Sequence, residues 1–227
     1  MADLKSRLIE LSTDPLPHSH ITYLEKLKEE GFNPKVIYDI GACVLQWTTV
    51  AQRIWPNAEI IAFDAFEEVE FLWKERNINY YLGVLSDSDT KEVKFYQNDF
   101  HPHGSSYYRE IGCNDIFFPS DKYILKKTKT LDTVVNEKQF PYPDLVKIDC
   151  QGSEIDILKG GINTLKKCSY LIVELQHIQY NEGALLVKES KPIIEKLGWT
   201  CINPLFSNNG PDGDYAFINQ LLKEDSI

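Results

Sequence analysis

The sequence predicts a single α/β domain with a doubly wound, mostly parallel sheet and an antiparallel strand at its edge. Short apolar runs alternate with amphipathic stretches over residues 36–219, a pattern typical of parallel strands covered by helices on both faces. The last two runs are joined by a turn-rich connection without a helix, so they should pair antiparallel. With 227 residues and 43% hydrophobic content, residues 1–227 have enough material for one core.

Residues 1–34 are predicted to form an N-terminal helical extension. Ile21, Leu24 and Leu27 fall on one face of a helix that should end near Gly31, because Asn33-Pro34 prevents its continuation. We expect this extension to cover the core, residues 36–219, as a lid or a brace.

The core opens with strands and helices in strict alternation. The pattern predicts strands at 36–40, 60–63 and 80–85, with helices at 45–55 and 67–77 between them. This order is the first half of a doubly wound nucleotide-binding fold.

Residues 92–130 break the alternation. Strand-like positions at Val93, Phe95 and Thr128 flank the stretch HPHGSSYYREIGCNDIFFPSD, and a loop this long is usually functional or flexible. Regular alternation then resumes, with strands predicted at 145–149, 170–174, 199–202 and 215–218 and helices at 153–158 and around 193–197.

The charge balance excludes some classes of partner. The chain has 34 acidic and 24 basic residues, a formal net charge of −10, so its field repels nucleic acid. It has no apolar run of membrane-spanning length and no basic amphipathic helix, and its first residues mix charges unlike a signal peptide. We expect a cytoplasmic protein without a nucleic acid or membrane partner.

The cysteines and histidines do not indicate a metal site. No C-x-x-C pair occurs, and we expect reduced, mostly buried thiols. His101 and His103 lie two residues apart in the long loop, but no third ligand follows at a readable spacing. The five cysteines are Cys43, Cys113, Cys150, Cys168 and Cys201.

Acidic residues stand at the ends of the predicted strands, where open α/β sheets bind their ligands. Burial alone does not place carboxylates there, because an unpaired buried carboxylate is costly. The acids at or close to strand ends are Asp39, Asp64, Asp87, Asp149 and Glu174.

The first turn after a strand indicates a ligand without phosphate. A dinucleotide site usually carries G-x-G-x-x-G, which lets the backbone approach a diphosphate. Here Gly41 stands alone, and Cys43, Leu45 and Trp47 occupy places where small residues would be expected. S-adenosylmethionine suits such a turn, because it presents an amino acid, a sulfonium and an adenosine.

The strand ends suggest how that ligand is held. Asp39 can face the cationic methionine end, and Asp64 can accept hydrogen bonds from ribose hydroxyls. Ala65 and Phe66 offer an apolar wall for adenine, and Ser86 or Asp87 offers a polar edge.

The succession DIGAC, FDA, GVLSDSD, GSS, TLDT, LVKIDCQGSEIDILKG and LIVEL resembles the FkbM family of S-adenosylmethionine-dependent methyltransferases. The resemblance covers about residues 36–219. It implies a seven-stranded class I methyltransferase fold with a Rossmann-like sheet. It also implies methyl transfer to a hydroxyl oxygen of a small molecule or carbohydrate, with S-adenosylhomocysteine as product.

Site residues follow from the same resemblance at the matching positions. The family usually has Asn and Gly where this chain has Cys43 and Leu45, so the methionine end of the pocket should differ in shape. Cys43 enters the predicted site by its position alone. The predicted cofactor-binding residues are Asp39, Gly41, Ala42, Cys43, Asp64, Ala65, Ser86, Asp87, Ser105, Ser106 and Asp149.

An alcohol acceptor needs a general base. Asp149 is the first candidate, as base or as acceptor-orienting group, followed by Glu154, Glu174 and His177. Each of the last three also has a structural explanation. Glu154 can complement a helix dipole, Glu174 can pair with a lysine such as Lys147, and His177 can cap or pack.

Two other functions stay open. A nicotinamide-dependent oxidoreductase uses a similar sheet, although the missing glycines and the turn-joined final strands count against it. A non-catalytic S-adenosylmethionine-binding module is the other. The loop aromatics, which form either a platform for a sugar face or ordinary packing, are Tyr107, Tyr108, Phe117 and Phe118.

Overall fold

The computed structural model describes residues 4–112, 115–208, 210–220 and 222, so Cys113 and its expected thiol state lie outside the described residues. Helices and strands alternate along most of the described chain. The helices are α1 (Leu4–Ser12), α2 (His18–Glu29), α3 (Gln46–Ile54), α4 (Glu70–Glu75), α5 (Leu131–Lys138), α6 (Glu154–Gly160), α7 (Ile162–Leu165) and α8 (Val187–Lys196). The strands are β1 (Val36–Ile40), β2 (Glu59–Asp64), β3 (Asn79–Leu82), β4 (Val84–Leu85), β5 (Glu92–Phe95), β6 (Ile124–Lys129), β7 (Leu145–Ile148), β8 (Tyr170–Gln176), β9 (Trp199–Asn208) and β10 (Asp212–Asn219).

A seven-stranded sheet has the order β3-β2-β1-β7-β8-β10-β9. Strands β3, β2, β1, β7 and β8 run parallel, while β10 is antiparallel to both β8 and β9. The predicted mostly parallel sheet with an antiparallel pair at its edge is therefore confirmed. Strand order reverses between β1 and β7, which places the ligand-binding crevice at their carboxyl ends.

The sheet carries a hydrophobic cluster on each face, as a doubly wound fold requires. On one face Tyr38 and Val146 pack with residues of α5, α6 and α8. On the other face Ile37, Leu145 and Ile172 pack with residues of α2 and α3. The alternation along each strand sets this division, because neighbouring side chains point to opposite faces.

The extension at the N-terminus contains two helices, and α2 is fixed against the antiparallel edge of the sheet. Tyr23 stacks on Phe206 with ring centroids 4.1 Å apart, and His20 Nε2 lies 2.9 Å from a carboxylate oxygen of the buried Asp214. These contacts favour a brace over a mobile lid. No helix in the described ranges is long and apolar enough to cross a membrane.

The described part of residues 92–130, which we call the middle segment, forms a small structure together with β4. Strands β4, β6 and β5 make a three-stranded sheet, and residues 102–104 form a single 3-10 turn between β5 and β6. The predicted strand at 80–85 divides into β3 and β4. The predicted helix at 67–77 is a 3-10 turn over residues 67–69 followed by α4.

Candidate active site

A cleft opens where β1, β2 and β7 end, at the reversal of strand order. Its empty volume, including the part open to solvent, is about 670 Å³. The strand ends contribute Gly41, Asp64 and Asp149, and the middle segment contributes His103 and Ser105 from the opposite side. We call this cavity the strand-end cleft.

Gly41 lets the first turn pass directly beside the end of β7. Its φ is +85°, and a Cβ at this position would overlap the carbonyl oxygen of Asp149. The backbone N–H groups of Gly41 and Ala42 both donate to the carbonyl of Phe63, at 2.8 and 3.1 Å. The turn is therefore held between β2 and β7, so the ends of β1, β2 and β7 can contribute to one site.

The two residues that depart from the family pattern do not obstruct the cleft. Cys43 and Leu45 both have positive φ, 38° and 67°, a region that Asn and Gly enter at lower cost. Leu45 is fully buried in a cluster with Phe66 and Trp73, so its side chain points away from the cleft. Cys43 lines the cleft.

Asp64 is fixed at the end of β2 with its carboxylate in the cleft wall. One oxygen accepts the backbone N–H of Cys43 and the other accepts that of Phe66, each at 2.8 Å. Burial raises the pKa of Asp64, and these hydrogen bonds partly oppose the increase. Each oxygen keeps a second lone pair, so the side chain can accept hydrogen bonds from a diol.

Asp149 belongs to a polar network at the end of β7. Its two oxygens accept from Lys147 Nζ at 2.9 Å and from Gln151 Nε2 at 3.0 Å, and Gln151 also donates to Glu174 at 3.1 Å. Although burial favours the neutral acid, Lys147 and the hydrogen bonds hold the pKa of Asp149 well below its usual range. Lys147 therefore forms an ion pair with Asp149.

Glu174 is the carboxyl group of this network for which the neutral form is favoured. Burial and the neighbouring Asp149 charge raise its pKa well above the usual value for a glutamate. The opposite directions of the two pKa shifts favour a single negative charge on the pair, located on Asp149. Glu174 lies behind Gln151 and is not among the residues that line the strand-end cleft.

Two predicted catalytic residues have local partners away from the cleft. The carboxylate of Glu154 accepts the backbone N–H groups of Cys150 and Gly152, at 2.8 to 3.1 Å, and holds the loop between β7 and α6. His177 lies 2.9 Å from the hydroxyl of Tyr215 and 3.2 Å from the carbonyl of Gly210. Neither side chain lines the cleft.

Several predicted cofactor-binding residues support the cleft from outside its lining. Asp39 is fully buried and accepts a 2.6 Å hydrogen bond from Thr48, which ties β1 to α3. Ser86 is buried with its hydroxyl oxygen 3.3 Å from that of Tyr107, whereas Asp87 is exposed. The predicted residues that do line the cleft are Gly41, Cys43, Asp64, Ala65, Ser105, Ser106 and Asp149.

The middle segment supplies cleft residues that strand-end reasoning did not assign a role. His103 and Tyr107 line the cleft opposite Asp149. Tyr107 is anchored by donating to Asp156 at 2.9 Å, so it acts as a rigid wall. The His-Pro-His stretch was the available signal, because a proline-constrained histidine in a long loop is an unusual feature.

The cleft chemistry fits an adenosyl ligand without phosphate. None of the residues lining it in the described chain is a lysine or an arginine, so no side chain there neutralises a diphosphate. The buried hydroxyl oxygen of Ser105 has no hydrogen-bond partner within the described residues, and it lines the cleft. Asp64 offers acceptors for a ribose, and Val84, Leu85 and Phe95 offer an apolar wall.

The sequence matches known methyltransferases. A profile of the family described as "Methyltransferase FkbM domain" matches residues 39–224. The hexuronic acid methyltransferase AglP of Haloferax volcanii is 39% identical over 155 residues, which are 66% of this chain and 59% of that protein. The match thus spans less than two thirds of this relative.

Solved structures share the fold. A methyltransferase FkbM from Methylobacillus flagellatus KT has a TM-score of 0.50 at 12% identity, over 81% of this chain and 43% of its own. An O-methyltransferase family protein from Burkholderia thailandensis has a TM-score of 0.50 at 7% identity, over 88% and 55%. A candidate O-methyltransferase from Klebsiella pneumoniae has a TM-score of 0.52 at 10% identity, over 96% and 91%. These likenesses concern the class I methyltransferase fold alone.

Proposed function

The chain belongs to the FkbM methyltransferase family, and on that premise we propose that it transfers a methyl group from S-adenosylmethionine to a hydroxyl oxygen. The observation that carries the proposal is the strand-end cleft, which presents Asp64 as a diol acceptor without any lining lysine or arginine. This combination suits an adenosine and disfavours a dinucleotide, whose diphosphate needs N–H donors or cations.

The proposed donor site uses the residues at the strand ends. Asp64 would hold the ribose hydroxyls, and Ala65 would face the adenine with Val84 and Leu85. Ser105 would contribute its unpartnered hydroxyl, and Gly41 leaves the backbone room beside the ligand. When bound there, S-adenosylmethionine supplies an electrophilic methyl group on a sulfonium.

The other predicted cofactor residues are proposed to act indirectly. Asp39 fixes the first turn through Thr48, and Ala42 does so through its backbone bond to Phe63. The Ser86 hydroxyl lies 3.3 Å from that of Tyr107 and so helps to position this residue in the cleft wall. Ser106 donates to the carbonyl of Cys150 at 3.2 Å, which joins the middle segment to the end of β7.

Asp149 is proposed to orient the acceptor. Its ion pair with Lys147 keeps it ionised, and a carboxylate with a lowered pKa is a weak base. Its negative charge at the cleft wall also favours the cationic sulfonium of the donor over the uncharged sulfur of S-adenosylhomocysteine. Asp149 therefore helps to hold the donor. Holding both reactants in attack geometry can account for roughly 7–11 kcal/mol of the barrier.

The acceptor is proposed to be a carbohydrate or another small hydroxylated compound. The support is the relative AglP, which is a hexuronic acid methyltransferase. A sugar matches two residues that line the cleft, because the Gln151 amide oxygen can accept a hydrogen bond and the ring of Tyr107 offers an aromatic face.

Transfer of a labelled methyl group tests the proposal. The purified chain is incubated with S-adenosyl-L-[methyl-³H]methionine and a panel of hexoses, hexuronic acids and hydroxylated aromatic compounds. We expect label in at least one acceptor and release of S-adenosylhomocysteine. Tight binding of S-adenosylhomocysteine without transfer to any member would contradict the proposal and favour a non-catalytic binding module. Tight binding of NAD instead would favour the oxidoreductase.

A further inference from the structure

A second cavity adjoins the strand-end cleft and shares lining residues with it. Its empty volume, including the part open to solvent, is about 1110 Å³. His101, Glu110, Ile178, Tyr180 and Asp212 contribute to its walls. We call it the side groove. It provides a route by which a second reactant can reach the strand-end cleft.

His103 and Gln151 line both cavities. His103 lies in the 3-10 turn of residues 102–104, where the preceding proline fixes the backbone. Gln151 is held by donating to Asp149 and to Glu174, at 3.0 and 3.1 Å. The two side chains therefore mark the junction at which a ligand in the cleft and a ligand in the side groove would meet.

The carboxylates near this junction are poor proton acceptors. Asp149 is ion-paired with Lys147 and has a pKa well below its usual range. Burial and the charge of Asp149 raise the pKa of Glu174, which favours its protonated form. Glu154 is occupied by backbone N–H groups below the loop. An alcohol that loses its proton during attack needs another base.

His103 has the properties of that base. Partial desolvation lowers its pKa from the usual 6.5, and the charge of Asp149 at the end of β7 opposes the shift. Lys147 on β7 and His101 on its own segment also lower it, and Asp14 before α2 raises it. Within the described residues no hydrogen bond is found that engages its ring nitrogens. At neutral pH the imidazole is uncharged and can accept a proton.

We propose that His103 is the general base of the reaction and that the acceptor hydroxyl reaches it through the side groove. The inference rests on the proposed function. The acceptor oxygen forms a new bond to the methyl carbon, and the carbon–sulfur bond breaks with its electron pair going to sulfur. The hydroxyl proton goes to His103, and the resulting imidazolium returns it to water.

The same assignment specifies the reacting group of the acceptor. The side groove is lined by Glu110 and Asp212, and no lysine or arginine is among its described lining residues. These walls suit a hydroxyl as the reacting group, because they offer no lysine or arginine to hold a reacting carboxylate; a carboxylate elsewhere on the acceptor, as in a hexuronic acid, is compatible with this. A carboxylate nucleophile is already ionised and needs no base, so the product should be a methyl ether rather than a methyl ester.

The experiment compares wild type with His103→Gln and His103→Ala, and with His18→Gln as the control. His18 is exposed at the start of α2 and lines neither cavity. The acceptor is the best member of the labelled-methyl panel. We expect both His103 variants to lose about 10²- to 10⁴-fold in kcat while their affinity for S-adenosylhomocysteine, measured by calorimetry, stays near the wild-type value.

The pH profile and rescue give further readouts. The wild-type kcat should fall as pH drops below the pKa of His103, because the protonated ring cannot accept a proton. His103→Gln should lack this acidic limb, and added imidazole should restore part of the activity of His103→Ala. The labelled product should be stable to mild alkali, as an ether is, whereas a methyl ester releases labelled methanol.

The outcomes separate the inference from the proposed function. If the wild type transfers label but His103→Gln keeps its rate and acidic limb, the inference is overturned. Equal losses of rate and of S-adenosylhomocysteine affinity, or an alkali-labile product, overturn it too. If the wild type labels no acceptor, the proposed function fails first, and the inference falls with it.

Discussion

Gly41 follows β1 and lies directly against the Asp149 carbonyl at the end of β7. A side chain there would meet the Asp149 carbonyl, and the backbone has a φ of +85° that L-residues rarely adopt. Gly31 offers a matched control, because its φ is +93° but nothing lies within 4 Å of an added Cβ. The two glycines therefore separate backbone strain from steric overlap.

We predict that Gly41→Ala destabilises the protein far more than Gly31→Ala. The control should cost about 1 kcal/mol from its backbone conformation alone, and the overlap at Gly41 should add about 3 kcal/mol or more. Urea denaturation gives both free energies of unfolding. Similar losses for the two variants would mean that β1 and β7 tolerate separation at this point.

At the residue scale, sequence reasoning found the parts of the cleft that lie at strand ends. Gly41, Asp64 and Asp149 follow apolar runs, and the geometry of a parallel sheet brings such ends together. Glu154 and His177 also lie close to strand ends, but their side chains turn to local partners. Sequence position alone does not show the direction of a side chain in a loop.

At the element scale, the loop between β7 and α6 depends on a buried carboxylate. Glu154 is 5% exposed, and burial raises its pKa from 4.5 to about 7. Between pH 4.5 and about pH 7 the folded protein keeps a proton on Glu154 that the unfolded chain has released. The free energy of unfolding must therefore decrease as pH rises through this window.

We predict that Glu154→Gln removes this contribution. The free energy of unfolding of wild type minus that of the variant should fall by about 3 kcal/mol between pH 4 and pH 8. Urea denaturation across this range measures the difference, with the exposed Glu75→Gln as a control. A difference that stays constant, or that grows with pH, would show that Glu154 is ionised throughout in the folded protein.

Some elements were not predicted from the sequence. Helix α5 is short and contains the β-branched pair Val134-Val135, which lowers the helical signal. Its N-cap was readable, because Thr130 accepts the backbone N–H of Thr133 at 3.1 Å. Helix α1 was covered only by the general prediction of a helical extension over residues 1–34, although Leu4, Leu8 and Leu11 stand at helical spacing and pack in one cluster.

At the scale of the whole molecule, alternation along the chain was enough to predict the main sheet. The crossovers and the antiparallel final pair follow from general rules of connection. The middle segment did not follow such rules, because its small sheet and 3-10 turn depend on packing against the cleft. The side groove and the position of His103 therefore required the structure.

We propose that the cleft at the carboxyl ends of β1, β2 and β7 binds an adenosyl ligand without phosphate. Its most specific element is Asp64, held by two backbone N–H groups at the end of β2. Asp121→Asn serves as the control, because Asp121 is exposed and lines no cavity described above.

The most direct test is calorimetric titration of wild type, Asp64→Ala and Asp121→Asn with S-adenosylhomocysteine and, separately, with NAD. We predict that wild type and Asp121→Asn bind one S-adenosylhomocysteine per chain and do not bind NAD. Asp64→Ala should bind S-adenosylhomocysteine about 10- to 100-fold more weakly, since it loses hydrogen bonds to a charged group. Tighter binding of NAD than of S-adenosylhomocysteine, or unchanged affinity in Asp64→Ala, would contradict the account.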